Sequence, residues 1–286
     1  MKLIAIDMDG TLLSNEKTIS QANIQAIQDA KDQGHIIMIC SGRPHDGILQ
    51  FLAENKLDLP LAGSNGAVTY TENKIIHSAI MDVHVAAKVF HQLEEQRHPF
   101  KIYTNKGVFT QEAFLERAQK EYLDAPEKEG PHRIKIELLV ESHTNFPSNM
   151  ITTFEDLTED KELVIFKYFV FVPHELKKQT LHSSIESIEG LAITSSGMDN
   201  LEIMGTDGNK GTGLKQMAKH YHIPIEDTIA IGDNFNDLPM LNVAGLSVAM
   251  ENAEENVKKV CDVITLSNEE DGVAYAIRKY VLNEDV

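Results

Sequence analysis

Asp7 and Asp9 stand two residues apart in Asp7-Met8-Asp9-Gly10-Thr11-Leu12, directly after the apolar run Leu3-Ile4-Ala5-Ile6. Such a run is short, continuous and partly β-branched, as expected of a central parallel strand. In open α/β sheets ligands bind at the carboxyl end of the strands. Unpaired carboxylates are costly to bury there unless they meet a metal ion or a reacting electrophile. The spacing alone favours an acidic, solvated turn. A second cluster, Ile229-Ala230-Ile231-Gly232-Asp233-Asn234-Phe235-Asn236-Asp237, repeats the grammar of apolar strand, glycine and carboxylates. If both clusters share one crevice, their mutual repulsion raises their pKa values until a cation binds. Carboxylate oxygens are hard ligands suited to Mg²⁺.

Two further stretches could hold an anion. Ile36-Ile37-Met38-Ile39-Cys40 reads as another buried strand, ending in Ser41-Gly42-Arg43-Pro44. A hydroxyl and free backbone N–H groups at such a turn can hold phosphate oxygens, although Ser41 is also an ordinary helix cap. Lys210 lies in Gly208-Asn209-Lys210-Gly211-Thr212-Gly213, just before a helical pattern. A cation at a helix N-terminus runs against the dipole unless an anion lies between them. Alone, it reads as a solvated lysine.

In order, the chain carries DxDGTL, SGR, a lysine in a glycine-rich loop, and GDNFND. This order and spacing resembles the haloacid dehalogenase-like superfamily of phosphoryl-transfer enzymes, and within it the Cof-type hydrolases of subclass IIB. Ser64-Asn65-Gly66-Ala67, Asp237-Leu238-Pro239-Met240-Leu241 and Ser267-Asn268-Glu269-Glu270-Asp271-Gly272-Val273-Ala274 are similar to that subfamily as well. The resemblance covers both flanks and is weak from about Asp82 to Gly190. It implies that Asp7 is a nucleophile forming an aspartyl-phosphate and that Asp9 is the acid and base. It implies Mg²⁺ on the carboxylates of Asp7 and Asp233 and the carbonyl of Asp9, with Asp237 behind them orienting a water or Lys210. Ser41, the N–H groups of Gly42 and Met8, Lys210 and Asn236 would hold the phosphoryl group. Arg43 and Asn65 have less definite places. Rival motifs fail: the residues flanking Lys210 are not those of a P-loop, Gln216 stands where a dinucleotide fingerprint needs its third glycine, and there is no HExxH.

These residues need a scaffold, and the pattern supplies one. Strand and helix signals alternate at both flanks, the doubly wound α/β arrangement. An amphipathic helix is expected over Ser20–Gln33, a strand at Leu61–Gly63, and a small hairpin from Val68–Tyr70 and Lys74–His77. The alternation resumes from about Leu191, with Leu201–Met204 counted among its strands. Between the flanks, helices at Val83–Gln96 and Pro173–Ile188 and strands at Phe100–Thr104, Gly107–Thr110, Ile134–Val140 and Leu163–Val172 read as an inserted α/β unit. The expectation is a catalytic core of residues 1–82 and 191–286 and an inserted cap of residues 83–190 that selects substrate. Lys167 interrupts an apolar strand and is either a solvated side chain or a contact for an anionic leaving group; Arg133 and Lys135 share that ambiguity.

Composition narrows the partners. The 286 residues are 42% hydrophobic, enough for a sizeable core. A formal net charge of −18 argues against nucleic acid and anionic membrane surfaces as partners. It leaves a small phosphorylated metabolite open. Cys40 and Cys261 are too few for a disulfide framework. The chain opens in its first expected strand, so a cytoplasmic protein without a signal peptide is the expectation. Oligomeric state is not legible. The expected function is a Mg²⁺-dependent phosphatase of small metabolites, sugar phosphates or similar organic phosphates. The alternatives are a sugar phosphomutase on the same fold and, from another class, an aspartate-phosphorylated signalling receiver.

Overall fold

The computed structural model describes residues 1–125 and 149–285. The strand expected at Ile134–Val140, with Arg133 and Lys135, lies outside the described residues. In chain order the strands are β1 (Leu3–Ile6), β2 (Ile36–Cys40), β3 (Leu61–Gly63), β4 (Val68–Thr71), β5 (Lys74–Ser78), β6 (Phe100–Thr104) and β7 (Gly107–Gln111). They continue as β8 (Asn149–Ile151), β9 (Ile165–Phe171), β10 (Leu191–Thr194), β11 (Asn200–Gly205), β12 (Thr228–Gly232), β13 (Leu246–Ala249) and β14 (Val263–Ile264). The chain divides into two compact units, Met1–Ser78 with Asn209–Val286, and Ala79–Gly208.

The first unit holds an eight-stranded sheet in the order β14-β13-β12-β1-β2-β3-β4-β5. From β14 to β3 neighbours run parallel, and β4 and β5 close the edge as the expected antiparallel hairpin. β1 is central and wholly buried, so all four of its residues are apolar. From β1 the chain moves outward through β2 and β3, then returns on the other side at β12. That reversal makes the carboxyl ends of β1 and β12 a topological switch point, where a crevice opens. Helix Gln21–Asp32 begins at Ser20, whose side chain accepts from the N–H of Asn23 at 3.1 Å. Its apolar residues Ala26, Ile27 and Ala30 join the core beneath β1 and β2.

The second unit is built on a six-stranded sheet in the order β10-β11-β9-β6-β7-β8. Its core gathers Val89, Phe90, Leu93, Phe100, Tyr168 and Ile203. Here the structure differs from the expected boundary. Residues 191–208 belong to this unit, because β11 pairs antiparallel with β9 and β10 pairs antiparallel with β11. The apolar run Leu201–Met204 carries no mark that separates a core parallel strand from an antiparallel one; its partner decides, and the partner is β9. Lys167 is neither solvated nor free. It is 1% exposed, its Nζ lies 3.0 Å from Glu202 Oε2, and it stacks over the Tyr103 ring at 4.6 Å. Among the described residues no helix is long and apolar enough to cross a membrane.

Candidate active site

The site begins where β1 and β12 end side by side. Ile6 is in register with Ile231, and the Asp7 N–H extends the ladder by donating to the Ile231 carbonyl at 3.0 Å. Beyond Asp7 the chain turns sharply. The carbonyl of Met8 accepts from the N–H of Thr11 at 3.4 Å and of Leu13 at 2.9 Å. Gly10 makes this turn with φ +86°, and a Cβ there would sit 2.4 Å from Asp233 Oδ2. Only glycine therefore lets the first loop press against the second carboxylate. Thr11 completes the contact, its hydroxyl donating to Asp233 Oδ1 at 2.8 Å.

The second loop is held by its own turn. Asp237 Oδ2 accepts the backbone N–H groups of Asp233 and Asn234, each at 2.9 Å, in a capping box. Its other oxygen, Oδ1, lies 2.5 Å from Lys210 Nζ. Lys210 is the first residue of helix Lys210–His220, capped by Asn209, whose Oδ1 accepts from the Thr212 N–H at 3.0 Å. Gly211 brings that helix close, since a Cβ would meet the Pro239 carbonyl oxygen at 2.3 Å. The Lys210 ammonium is fully buried and reaches Asp7 Oδ1 at 2.6 Å. Asp7, Asp233 and Asp237 each present a carboxylate oxygen within 4.8 Å of the others.

The electrostatics follow from this packing. Burial, aided by Asp237, pushes the Asp7 carboxyl up to about 7, against the pull of Lys210. Burial and the charges of Asp7 and Asp237 raise Asp233 well above the carboxylate range. Burial alone would lower the Lys210 ammonium, but Asp237 and Asp7 reverse this and raise it. Three buried carboxylates around one ammonium leave an excess of negative charge. Asp233 Oδ2 faces Gly10, and hard oxygen donors converge from two loops. This donor set fits a hard divalent cation.

Asp9 has a different setting. Its side chain is 42% exposed and lies outside the three-carboxylate cluster. Arg43 grips it with two parallel bonds, Nε to Oδ2 and Nη2 to Oδ1, each 2.8 Å. Lys17 Nζ adds a third contact at 3.0 Å. Burial opposes ionisation here, but Arg43 and then Lys17 outweigh it and draw the carboxyl down to about 2.

Ser41 is buried at the end of β2, its hydroxyl accepting from the Arg43 N–H at 3.3 Å, and Gly42 lies between them. Asn236 is buried and donates from Nδ2 to Asn65 Oδ1 at 3.3 Å, so these two distant asparagines meet. Asn65 sits in a left-handed conformation, φ 59°, in the turn after β3. The first unit thus brings together Asp7, Asp233, Asp237 and Lys210, with Asp9 and Arg43 as one pair and Asn236 and Asn65 as another. Lys167 belongs to the second unit, with Glu202. Sequence reasoning missed Thr11 and Lys17. Thr11 lies inside the first motif and could have been found there; Lys17 stands in a loop with no periodic signal, its φ of 60° placing it at a turn.

A parallel sheet with carboxylates at the ends of two adjacent central strands, and a buried lysine bridging Asp7 and Asp237, makes an acidic, cation-seeking centre on an α/β fold. The comparisons agree. The family model described as haloacid dehalogenase-like hydrolase matches residues 4–277, and the chain belongs to that family. The chain is 30% identical to the phosphatase YwpJ of Bacillus subtilis, covering 97% of this chain and 99% of that one. It is 34% identical to the 5-amino-6-(5-phospho-D-ribitylamino)uracil phosphatase YwtE of the same organism, covering 97% of each. A solved structure of a haloacid dehalogenase-like hydrolase from B. subtilis superposes with a TM-score of 0.86 at 29% identity, covering 98% of this chain and all of that one.

Proposed function

We propose that this hydrolase is a Mg²⁺-dependent phosphatase of small phosphorylated metabolites, sugar phosphates or similar organic phosphates, acting in the cytoplasm through an aspartyl-phosphate on Asp7. The observation that carries the reading is the buried Lys210 ammonium bridging Asp7 and Asp237 beside Asp233. Two relatives that bear the name phosphatase support it.

Asp7 and Asp233 would hold Mg²⁺ with their carboxylates and Asp9 with its carbonyl. Asp237 has both oxygens engaged, by Lys210 and by two backbone N–H groups, so it fixes the others in place. When bound, the ion would neutralise the excess negative charge and polarise a phosphoryl oxygen. Asp7 attacks phosphorus; the bond to the leaving alcohol breaks and the alcohol takes a proton from Asp9. Water then attacks the same phosphorus, Asp9 takes its proton, and the carboxylate of Asp7 is released with inorganic phosphate. Lys210, Ser41, the N–H groups of Gly42 and Met8, and Asn236 supply fixed donors for the phosphoryl oxygens. Arg43 and Lys17 hold Asp9 ionised in this structure. Phosphate oxygens would compete for those two cations, loosening Asp9 for its acid role. Substrate choice is assigned to the second unit.

The test is a panel of phosphorylated metabolites that includes 5-amino-6-(5-phospho-D-ribitylamino)uracil, with phosphate release followed in Mg²⁺ and again after chelation. Release that requires Mg²⁺ is expected. Full activity after chelation, or transfer of phosphate within the substrate in place of release, would overturn the reading.

A further inference from the structure

Two asparagines that the mechanism above does not use tie the acidic loops together. Met250 to Glu254 leaves the end of β13 and grips the second loop through its backbone. The Met250 N–H donates to the Gly232 carbonyl and the Glu254 N–H to the Asp233 carbonyl, each at 3.0 Å. Between these two points, Asn252 reaches across to the first loop. Its Nδ2 donates to the Gly10 carbonyl at 2.8 Å. Its Oδ1 accepts the N–H of Asn268 at 2.9 Å, and Asn268 Nδ2 in turn donates to the Leu13 carbonyl at 2.9 Å. Thr11 and Asp233 close the ring on the other side.

Gly10 is the sensitive point of this ring. A Cβ at Gly10 would stand 2.4 Å from Asp233 Oδ2, so the Asp233 carboxylate packs where a side chain at Gly10 would otherwise lie. No main-chain bond runs directly from Gly10 to the segment Met250–Glu254 in this structure; the Asn252 side chain makes the connection. A small drift of Gly10 would change the separation of the Asp7 and Asp233 carboxylates, which belong to different loops.

We propose that Asn252, backed by Asn268, is a positioning residue that sets the distance between the Asp7 and Asp233 carboxylates, and hence the affinity of their site for a divalent cation. The proposal rests on the phosphatase reading for its consequence in turnover. Its first consequence, in cation affinity, is measured without substrate.

The experiment compares the full-length protein with Asn252→Ala, Asn268→Ala and Asp262→Ala. Asp262 is the matched control: it accepts from the N–H and hydroxyl of Ser247, near the start of β13, and touches neither loop. Mg²⁺ dissociation constants by calorimetry, melting temperatures and phosphate-release kinetics are read for each. Asn252→Ala should weaken Mg²⁺ binding by about tenfold to a hundredfold, the usual effect of removing a group that orients metal ligands. Its kcat should fall while KM stays within about threefold, because the loss lies in the reacting geometry. Asn268→Ala should move both quantities the same way by less, and it carries the test if Asn252→Ala does not fold. Asp262→Ala should lower the melting temperature and leave Mg²⁺ affinity within about twofold. Asparagine variants that melt earlier but bind Mg²⁺ as the unsubstituted protein does would overturn the proposal. Failure of the unsubstituted protein to release phosphate from any substrate would strike the phosphatase reading, and the calorimetry would still decide the role of Asn252.

Discussion

Replacing Lys210 by alanine separates the stability of the site from its chemistry. The ammonium is fully buried, 2.6 Å from Asp7 and 2.5 Å from Asp237. At such distances each pair attracts by about 6 kcal/mol in an effective dielectric of about 20, before desolvation. Desolvation of the ions cancels much of this. Removing one partner of a buried pair nevertheless costs about 3–5 kcal/mol, because the remaining charge is stranded. Here two carboxylates are stranded. Asp7, already pushed up to about 7 by burial and the neighbouring Asp237, escapes by protonation, so the loss should be large near pH 8 and clearly smaller near pH 5. Turnover should fall by about a hundredfold to a thousandfold at any pH, since a fixed donor to the phosphoryl group is gone. The double variant Lys210→Met with Asp237→Asn removes one charge of each sign. It should recover much of the stability at pH 8 and none of the turnover. Urea denaturation at both pH values, with phosphate release on the same samples, reads both effects. A Lys210→Ala protein whose stability loss is the same at pH 5 and pH 8 would refute the stranded-carboxylate argument. Double-variant turnover near that of the unsubstituted protein would refute the role of Lys210 in the reaction.

Further outcomes follow from the same geometry. Asp7→Asn should abolish turnover, while Asp9→Asn given an activated aryl phosphate should release one burst of leaving group and accumulate phosphate on Asp7, as intact mass of quenched protein would show; identical behaviour of the two variants would contradict their separate roles. In chelator, the Asp7 carboxyl is raised from 3.8 to about 7, so the folded protein holds a proton that the unfolded chain releases, and this contribution, complete below about 3.8, is lost as pH rises through about 7. The melting temperature of the chelated protein should therefore fall from about pH 5 to pH 8, and Mg²⁺ should remove that fall and bind more tightly as pH rises; a flat profile in chelator would count against the raised carboxyl. Deleting residues 79–208 and joining Ser78 to Asn209 leaves the whole eight-stranded sheet in place. That core should fold, lose its substrate ranking and keep slow hydrolysis of a small aryl phosphate, and an unchanged ranking would refute the assignment of specificity to the second unit.

What the sequence made legible divides along physical lines. Strands buried on both faces announce themselves as continuous apolar runs, and β1, β2 and β12 were readable for that reason. Residues in the motifs stood out only as an ordered set, through its resemblance to a known family, since each short spacing alone also fits a solvated turn or an ordinary helix cap. The return crossing between units was not. Leu201–Met204 reads the same whether its neighbour is parallel or antiparallel, and only the pairing of β11 with β9 assigns it. Lys167 was legible as an anomaly in an apolar strand, but its partner Glu202 lies on the adjacent strand, 35 residues away. Cross-strand pairing of this kind is set by register, which one strand read alone does not contain. The contacts of Lys17 and Arg43 with Asp9 were hidden for a related reason, since long, flexible side chains converge from separate loops.

The charges of the first unit are sorted in space, and the sorting argues for two ligands of opposite sign. On the buried side, Asp7, Asp233 and Asp237 share the single ammonium of Lys210. Three buried carboxyls against one ammonium, with Asp7 and Asp233 pushed toward the neutral form for want of a cation, favour a dication over a second lysine, because a metal ion accepts oxygens from several directions at once. On the exposed side the balance reverses, since Asp9 alone faces both Arg43 and Lys17. That surplus of positive charge persists on a chain whose formal net charge is −18. On the phosphatase reading proposed above, it would help draw a phosphate from solution against the field of the protein. A receiver that only accepts a phosphoryl group on Asp7 would need the buried half of this arrangement. On the phosphatase reading, the exposed half, with a carboxyl held in reserve by two cations that a phosphate would compete for, would serve an enzyme that must also protonate a leaving group and then activate water.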